Sequence, residues 1–520
     1  MTVVRAPSST SDMPLGDVPM CTLRQLLHAG LVAAVHGDAA TQVRGVCSDS
    51  RRVEPGQLFA VVRGAQVDGA RFVAGAAAAG AAALLCDRPL AHPLPQLQVD
   101  DVRRRLGPVA EWVYGRPSEA LQVCGVTGTN GKTSTVSMLA AMVAAHGPAP
   151  GLLSTVERRI GTTVWPALHT TPEADDISRF AAAARRQGAQ HLLMEVSSHA
   201  LAQHRVDGLR FAVAAFSNLS RDHLDYHGDL DAYRAAKARL FQALTPQMAV
   251  FNLDDAVGAA LASSHAGPWL GCSRLGHAKA DVCLEVARPV AEGTNVRLRT
   301  PAGPAEWRWP LVGDFNLDNA LLALGCALAL GLDVDTCAQS LGRFAGAPGR
   351  MQTQRGPDGL RVIVDYAHTP DALQRAADAA RQGCAGRLWL VFGCGGDRDA
   401  GKRPLMGQAA AQADAVVLTS DNPRSEAPEA IAAAVAPGLR QGGLLATSPQ
   451  ALAAGKAGFL CELDRRAAIH FAVRQAAASD VVLVAGKGHE REQLVGSQRL
   501  AFDDALEVAA ALQTRGEGRG

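Results

Sequence analysis

The order of apolar and polar stretches along the chain predicts strands that alternate with helices. The clearest case is residues 121–147, where an apolar run rich in β-formers leads into a turn of Gly, Thr and Asn. After Lys132 and Thr133, apolar side chains recur at the i, i+3, i+4, i+7 spacing of a helix, which Gly147 and Pro148 end. The pattern therefore predicts a strand, a tight glycine loop and a helix.

This loop has the composition of a phosphate-binding site. Backbone N–H groups and a helix N-terminus converge there, while Lys132 adds a positive charge and Thr133 a hydroxyl group for Mg²⁺. The strict P-loop pattern needs a glycine where Val126 stands, and Gly125 lies one place earlier. A glycine-rich turn that binds nothing is the alternative. The Lys-Thr pair at the start of a helix favours nucleotide binding.

Two other regions show strand and helix patterns. Residues 47–86 predict a small α/β unit, with a polar turn at Ser48, Asp49, Ser50 and Arg51 that alone indicates no more than a turn. The last third of the chain alternates more cleanly, with predicted strands at 361–364, 388–392, 414–419 and 481–485. Because helical patterns separate these strands, we expect a largely parallel, doubly wound sheet.

The length of 520 residues suggests three domains of ordinary size. We place their boundaries near residues 115 and 345, which gives predicted domains at 1–115, 116–345 and 346–520. The first 20 or so residues contain no apolar core, so we expect a disordered extension rather than a secretion signal. The predicted fold class is α/β, with the P-loop in the central domain.

Charge and cysteine usage narrow the range of functions. Lys and Arg total 51 against 50 Asp and Glu. The chain therefore has no large positive net charge that would favour binding to nucleic acid or to an anionic membrane. The eleven cysteines include no C-x-x-C pair, which indicates reduced thiols in a cytoplasmic protein. The most apolar run, near residues 320–332, is too short to span a bilayer.

Several polar residues of the predicted central domain are candidates for chemistry. Glu195 ends a buried strand pattern, where a carboxylate needs a base or a cation such as Mg²⁺. Asp222, His223, Asp225 and His227 crowd one loop as potential metal ligands. Two further candidates have simpler alternative roles: Lys237 as a solvated helix residue, and the pair Asn316 and Asn319 as helix caps.

Polar motifs follow four strands of the predicted C-terminal sheet. They are DYAHTP at Asp365, GCGGDRDAGKRP at Gly393, SDNPRSE at Ser420 and GKGHE at Gly486. In parallel sheets, ligands bind outside the carboxyl ends of the strands. We therefore expect these four loops to form one ligand site.

Taken together, nine motifs in order carry a resemblance to a known family. They read GVTGTNGKTS, TTP, MEVSSHAL, NLSRDHLDYHG, GDFNLDN, DYAHTPDAL, GCGGDRDAGKRPLM, DNPR and GKGHE. The chain after about residue 45 resembles the Mur ligases of cell-wall synthesis, whose P-loop has the same one-place offset. The resemblance implies an N-terminal UDP-binding domain, a central ATPase domain and a Rossmann-like C-terminal domain.

The resemblance also implies ATP-dependent addition of an amino acid to UDP-MurNAc-L-Ala-D-Glu, through an acyl phosphate on the D-Glu side chain. The implied ATP-binding residues are Gly128, Thr129, Asn130, Gly131, Lys132, Thr133, Ser134, Asn319, Arg350 and Asp365. The implied Mg²⁺ ligands are Thr133, Glu195, His223 and Lys237 as its carbamate (N6-carboxylysine), with Lys132, Glu195, His223 and Lys237 as the catalytic set.

Two further groups of residues match substrate positions of the family. Those for UDP-MurNAc-dipeptide are Ser48, Ser50, Ala65, Gln66, Val67, Thr170, Thr171, Ser197, Gln203 and Arg205. Those for the amino acid are Arg398, Asp421, Asn422, Pro423, Arg424, Gly486 and Glu490. Meso-diaminopimelate has a distal carboxylate that L-lysine lacks. Because a guanidinium can bind a carboxylate through two hydrogen bonds, Arg424 favours meso-diaminopimelate as the amino acid.

Three alternatives stay open at this point. Within the ligases, the chain could add L-lysine or act like a folylpolyglutamate synthase. Outside them, it could be a P-loop ATPase or nucleotide-sensing module without ligation, although the four loops of the C-terminal sheet favour a ligase. We expect a monomer that binds small molecules, with closure of the central and C-terminal domains to bring Arg350 and Asp365 to the P-loop.

Overall fold

The computed structural model describes residues 4–5, 20–64, 67–290, 293–382 and 384–517. Within these ranges the strands form three main sheets, one for each third of the chain. The α/β class predicted from the sequence is confirmed. The boundaries at residues 115 and 345 stay predictions.

The N-terminal sheet has five short strands. Their order across the sheet is Ala34–His36, Gln96–Gln98, Ala83–Cys86, Leu58–Ala60 and Val46–Cys47. The first pair is antiparallel and the others are parallel. A small ladder joins Cys21–Thr22 to Gln42–Val43, and the helices are Leu23–His28, Val73–Ala78, Val102–Val113 and Pro117–Ala120. The third helix packs onto this sheet through the buried side chains of Leu106, Val109 and Val113.

The central sheet has twelve strands among the described residues. Their order is Val4–Arg5, Thr163–Pro166, Glu157–Ile160, Gly151–Leu153, His191–Glu195, Gln122–Thr127, Phe211–Phe216, Met248–Asn252, Trp269–Ser273, Val282–Val290, Gly293–Thr300 and Gly303–Trp309. Strands from Gly151–Leu153 to Val282–Val290 run parallel, and antiparallel hairpins extend the sheet on both sides.

Helices cover both faces of this sheet. They are Lys132–His146, Ala174–Arg186, Ser198–Ala202, Leu224–His227, Leu230–Gln242, Ala256–Ser264, Asp314–Ala329 and Val334–Gly342. Successive side chains of the P-loop strand enter opposite cores, with Cys124 and Val126 on the side of Leu139 and Leu321, and Val123 on the other. Such two-sided burial explains why the parallel strands read as continuous apolar runs.

The C-terminal sheet is doubly wound, as the sequence predicted. Its order is Gln352–Arg355, Arg361–Asp365, Val481–Ala485, Leu388–Phe392, Ala415–Leu418 and Gly458–Cys461, and only the first strand is antiparallel to its neighbour. The helices are Pro370–Arg381, Arg403–Ala410, Pro428–Gln441, Pro449–Ala453, Arg465–Gln475 and Asp504–Glu517. A hairpin, Glu492–Val495 with Gln498–Ala501, lies beside the sheet.

Two segments differ from the simplest sequence interpretation. The stretch 442–458, to which the sequence assigns no motif, contains the helix Pro449–Ala453 and leads into the edge strand Gly458–Cys461. In the extension, Val4 and Arg5 pair in parallel with Thr163 and Val164. Residues 1–3 and 6–19 lie outside the described part of the chain. Across the ranges that are described, no helix combines the length and apolarity needed to cross a membrane.

Candidate active site

The glycine loop takes the conformation that its sequence predicts. Gly128 and Gly131 have φ values of +148° and +89°, which favour glycine, and the helix begins at Lys132. A Cβ atom at Gly128 would overlap the hydroxyl of Ser217, and one at Gly131 would overlap the amide of Asn319. The loop backbone is therefore packed closely between two polar segments.

Lys132 and Lys237 converge on the carbonyl oxygen of Gly128. Lys132 Nζ donates to this oxygen and to that of Thr129, both at 2.8 Å, and Lys237 Nζ donates to Gly128 O at 2.7 Å. Burial lowers the pKa of Lys132, and burial followed by the charge of Lys132 holds the pKa of Lys237 well below its ordinary value. The side chain of Lys237 also lies 4.5 Å from the ring of Tyr233.

The solvated-helix interpretation of Lys237 is therefore wrong. The residue is 1% exposed. A buried lysine with a lowered pKa presents a neutral amine, and a neutral amine is the form that reacts with carbon dioxide. The position thus has the chemistry that a carbamylated lysine needs.

A cavity beside the loop is lined by both the central and the C-terminal domain. Its walls include Asn130, Gly131, Ser134, Asn218, Phe315, Asn316, Asn319, Leu322, Arg350, Asp365, Tyr366 and Arg375. Six of the predicted ATP-binding residues, from separate parts of the sequence, line this one cavity. They are Asn130, Gly131, Ser134, Asn319, Arg350 and Asp365. The capping role considered for Asn316 and Asn319 is wrong, because Gly313 precedes the helix and no side chain caps it. Asn316 Nδ2 instead donates to Val312 O at 2.8 Å.

Arg350 connects the two domains at this cavity. Its Nη2 donates a 3.0 Å hydrogen bond to Thr133 Oγ1, and its guanidinium lies 4.5 Å from the centre of the Tyr366 ring. Asp365 accepts from the backbone N–H groups of Met351 and Ala367 at 2.7 and 2.8 Å, and burial raises its pKa. In this structure the C-terminal domain therefore already contacts the P-loop.

Glu195 lies at the end of its buried strand and is 0% exposed. Its two carboxylate oxygens accept hydrogen bonds from the N–H and hydroxyl groups of Thr155, at 2.7 and 3.0 Å. Thr155 is neutral, so these bonds supply no counter-charge. Lys132 lies close enough for the charge of Glu195 to act on its pKa.

The residues predicted to contact the dipeptide form one connected group beside Glu195. Thr171 Oγ1 donates to Glu195 O at 2.8 Å and accepts from Ser197 N at 3.0 Å. Arg205 donates to Thr171 O at 3.0 Å and to Gln203 Oε1 at 2.6 Å. Thr170 receives a 3.2 Å hydrogen bond from Thr155 Oγ1. The structure thus brings Thr170, Thr171, Ser197, Gln203 and Arg205 together.

The histidine rings of the crowded His/Asp loop pack against that of His199. The ring of His199 lies 4.8 Å from that of His223 and 5.5 Å from that of His227. Burial lowers the pKa of His223 to about 3. Over the described ranges, no three His, Cys, Asp or Glu side chains are grouped as a ready metal centre. His223 itself has a φ of +55°, a strained conformation of the kind found at functional sites.

Two of the four predicted Mg²⁺ ligands offer the oxygen donors that the ion prefers. Glu195 and Thr133 offer a carboxylate and a hydroxyl oxygen, which are hard donors, and the charge of Glu195 needs a cation. His223 adds an imidazole whose lowered pKa keeps it neutral. Lys237 contributes oxygen only after carbamylation, because in its amine form it donates a hydrogen bond.

The N-terminal domain meets the central domain through polar pairs. Ser48 donates from its N and Oγ atoms to Asp175 at 2.8 and 2.9 Å, and Arg52 forms a bidentate pair with Asp176 at 2.7 and 3.0 Å. Burial, then the charge of Asp176, raises the pKa of Asp175 to about 7. Ser50 begins a short 3₁₀ turn.

Of the predicted UDP-binding loop, only Val67 lies in the described part of the chain. Val67 is exposed, and its carbonyl oxygen accepts from Gly64 N at 2.9 Å. Ala65 and Gln66 lie outside the described residues. The prediction for these two positions therefore stays a prediction.

The amino-acid loops meet at the carboxyl edge of the C-terminal sheet. Arg424 has a φ of +53° and donates to Gly396 O at 2.7 Å. Asn422 Nδ2 donates to Glu490 Oε2 at 2.8 Å, and a Cβ atom on Gly486 would lie 2.6 Å from Asp421 Oδ2. Pro423 precedes Arg424 in this loop, and Arg398 is exposed beside it.

Sequence reasoning missed several residues that hold this site. Asn218 accepts from the N–H groups of Thr129 and Asn130 at 2.8 and 3.0 Å, and it lies within the quoted NLSRD motif. Lys487, in the GKGHE motif, contacts both Asn422 and Glu490. Asn218 and the P-loop, like Lys487 and Asn422, are distant in sequence, so no local pattern indicated these contacts.

The fold and this nucleotide site define an ATP-dependent ligase of three domains. Family models match the chain as the Mur ligase family catalytic domain over residues 42–111, the Mur ligase middle domain over 126–327 and the Mur ligase glutamate ligase domain over 349–488. The chain therefore belongs to the Mur ligase family.

Individual relatives extend over the whole chain. A protein of Alkalilimnicola ehrlichii named UDP-N-acetylmuramoyl-L-alanyl-D-glutamate–2,6-diaminopimelate ligase is 44% identical over 509 residues, 95% of this chain and 99% of its own. A solved structure of a ligase with the same name is 35% identical, covers 96% and 99% of the two chains and has a TM-score of 0.66. A MurF ligase from Thermotoga maritima, solved with ADP, is 18% identical, covers 92% and 99% of the two chains and shares the fold with a TM-score of 0.64.

Proposed function

We propose that the protein adds meso-diaminopimelate to the D-Glu side chain of UDP-MurNAc-L-Ala-D-Glu, with ATP converted to ADP and phosphate. The product is the UDP-MurNAc-tripeptide of peptidoglycan precursor synthesis. The observation that carries the proposal is that one chain combines a P-loop site with a loop containing Arg424, which we assign to the amino acid. The chain is also 44% identical to a protein named UDP-N-acetylmuramoyl-L-alanyl-D-glutamate–2,6-diaminopimelate ligase. Its place of action is the cytoplasm, where ATP is supplied, and it acts as a monomer.

The reaction needs an activated acyl group, because a carboxylate is a poor electrophile and amide formation in water is uphill. A D-Glu carboxylate oxygen attacks the γ-phosphorus of ATP, the bond to the β-phosphate oxygen breaks, and ADP leaves. The free amine of the amino acid then attacks the acyl carbon and loses a proton. The C–O bond to the phosphate group breaks, so inorganic phosphate leaves with one oxygen from the carboxylate.

The residues of the P-loop stabilise the transferring phosphoryl group. Lys132 is placed at the loop, where its ammonium can exchange the carbonyl oxygens of Gly128 and Thr129 for phosphate oxygens. Arg350 approaches the same point from the C-terminal domain, through its contact with Thr133. Asn319 and Asp365 line the adjacent cavity, and we assign them to the adenine base and the ribose.

Thr133, Glu195, His223 and the carbamate of Lys237 would hold Mg²⁺, and the ion when bound screens the charge between two anionic reactants. The carbamate itself arises from the neutral amine of Lys237, which gains carbon dioxide and loses a proton. This step converts a buried neutral amine into an anion. Lys237 is buried within hydrogen-bond distance of the loop, so the new anion would lie beside the phosphates.

The remaining substrate groups are assigned by position. We assign Thr170, Thr171, Ser197, Gln203 and Arg205 to the muramoyl-dipeptide, because they form one group beside Glu195. We assign Ser48, Ser50 and the loop 65–67 to the UDP end. Arg424 reads the distal carboxylate of meso-diaminopimelate. Opposite L-lysine the guanidinium would lack that partner, at a cost of roughly 2–5 kcal/mol if buried.

The test is a product mass measurement with purified protein, ATP, Mg²⁺ and UDP-MurNAc-L-Ala-D-Glu. Separate reactions contain meso-diaminopimelate, L-lysine and L-glutamate. We expect the meso-diaminopimelate adduct with stoichiometric phosphate release. An L-lysine adduct as the main product would replace the proposed amino acid, and phosphate release independent of both co-substrates would indicate an ATPase without ligation.

A further inference from the structure

Lys487 is a fully buried cation that no step of the proposed reaction uses. Its side chain is 0% exposed, whereas that of its ion-pair partner Glu490 is 31% exposed. The residue follows Gly486 at the end of the strand Val481–Ala485. A buried ammonium group costs free energy unless its donors are satisfied, so its partners indicate what it does.

The three donors of Lys487 all have acceptors. Its Nζ atom donates to Asn422 Oδ1 at 3.0 Å, to Glu490 Oε2 at 2.9 Å and to Glu492 O at 2.7 Å. An ammonium group has three N–H bonds, so none is left for a substrate. Lys487 therefore acts on the reaction only through the residues it holds.

Two of those residues belong to the proposed amino-acid site. Asn422 Oδ1 also accepts from Leu494 N at 2.9 Å, and Asn422 Nδ2 donates to Glu490 Oε2 at 2.8 Å. The ammonium thus fixes which way the amide of Asn422 faces, and it neutralises the carboxylate that Asn422 and Lys487 share. Arg424 N donates to Leu494 O at 3.0 Å, so the same network also ties the Arg424 segment to the hairpin.

We propose that Lys487 is a positioning residue for amino-acid selection, which holds Asn422 and Glu490 in the orientation that receives the incoming amino acid. The proposal rests on the proposed function and goes beyond it, since it assigns a role to a residue outside the predicted binding set. Without the ammonium, Asn422 Oδ1 loses one of its two donors and Glu490 loses its counter-charge. The amino acid is then bound less tightly and discriminated less well.

The experiment compares wild type with Lys487→Met, which keeps the length and apolar stem of the side chain. We expect KM for meso-diaminopimelate to rise at least tenfold, with KM for ATP and for UDP-MurNAc-dipeptide changed less than twofold. The preference for meso-diaminopimelate over L-lysine should fall as well. Equal KM for the amino acid, or a parallel rise in KM for all three substrates, would overturn the proposal.

Arg515→Met is the matched control for loss of a buried cation. Arg515 lies in the same domain. Its Nε and Nη2 atoms both donate to Asp358 Oδ2, at 2.9 and 2.7 Å, and its Nη1 atom donates to Val473 O at 2.6 Å. Its loss should lower the melting temperature without changing KM for meso-diaminopimelate. A rise in that KM equal to the rise in Lys487→Met would show that any destabilisation of the domain has this effect, and would overturn the proposal.

A double-mutant cycle provides a second measurement. If Lys487 acts through Glu490, the two substitutions should not be independent. The fold-change in kcat/KM for meso-diaminopimelate in the double variant Lys487→Met/Glu490→Gln should then be smaller than the product of the two single fold-changes. Independent effects would contradict the proposal. If Lys487→Met does not fold, Lys487→Gln, which keeps a donor near Asn422, takes its place with the same expectations.

Failure of the proposed function gives a different result. A wild-type protein that ligates no amino acid removes the proposed function and this role together. An active wild type whose Lys487 variants keep their KM for the amino acid removes only the role of Lys487.

Discussion

Lys237 Nζ donates a 2.7 Å hydrogen bond to the carbonyl oxygen of Gly128, 109 residues earlier in the chain. This contact places a buried amine at Gly128 of the P-loop, on a helix whose apolar pattern does not indicate it. The helix Leu230–Gln242 therefore contributes to the ATP site as well as to the core.

Lys237→Met should reduce kcat by about 100-fold or more, because the anion that forms by carbamylation is lost beside the phosphates. Wild-type protein incubated with ¹³C-bicarbonate should show a carbamate resonance by NMR, and the variant should lack it. Lys456→Met, at an exposed position, is the control and should keep both activity and signal. A carbamate signal that persists in Lys237→Met would place the modification elsewhere.

Arg350→Ala should lower kcat/KM for ATP by about 10–100-fold, because a charged hydrogen bond across the domain interface is lost at the phosphates. Steady-state kinetics with varied ATP measures the effect. Arg355→Ala removes an exposed arginine five residues later in the same domain and should leave the value unchanged. Equal effects of the two substitutions would argue against a role for Arg350 at the nucleotide.

Arg424→Ala should reduce the ratio of kcat/KM for meso-diaminopimelate to that for L-lysine by about tenfold or more, since only the first amino acid has the distal carboxylate. Competition between the two amino acids, with products separated by mass, gives the ratio directly. Arg474→Ala changes an exposed arginine of the same domain and serves as control. An unchanged ratio in Arg424→Ala would refute the assigned role.

Asp175 should make stability fall as pH rises. Burial and Asp176 raise its pKa from 3.8 to about 7, so its protonated form stabilises the folded state fully below about pH 4, and this contribution is lost by about pH 7. Asp175→Asn mimics the protonated form and should gain roughly 2 kcal/mol relative to wild type between pH 5 and pH 8.

Urea unfolding of both proteins at the two pH values measures this difference. Asp335→Asn, at an exposed position, should show no such gain. If Asp175→Asn and wild type lose stability in parallel, Asp175 does not ionise in this range.

Much of the architecture could be predicted from local pattern. The predicted strands 388–392 and 481–485 agree with Leu388–Phe392 and Val481–Ala485, because both are buried apolar runs between polar turns. The antiparallel strands between Val282 and Trp309 were missed. Their outward positions carry Arg, Glu and Asn, so these segments lack the apolar runs that mark the parallel strands.

Individual residues of the site could be predicted from the sequence, whereas the contacts between them could not. The P-loop glycines and Glu195 stand out because their residue types are costly or unusual at those positions. The contacts of Arg350 with Thr133 and of Lys487 with Asn422 span 217 and 65 residues, and only the folded chain shows them. The burial of Lys237 likewise depends on packing that the helical pattern does not encode.

The central claim is that an acyl phosphate forms on the D-Glu side chain. The most direct measurement uses UDP-MurNAc-L-Ala-D-Glu labelled with oxygen-18 in that carboxylate, followed by mass analysis of the phosphate released during ligation. The account predicts one oxygen-18 atom in each phosphate formed. Phosphate that carries no label while the tripeptide accumulates would contradict it.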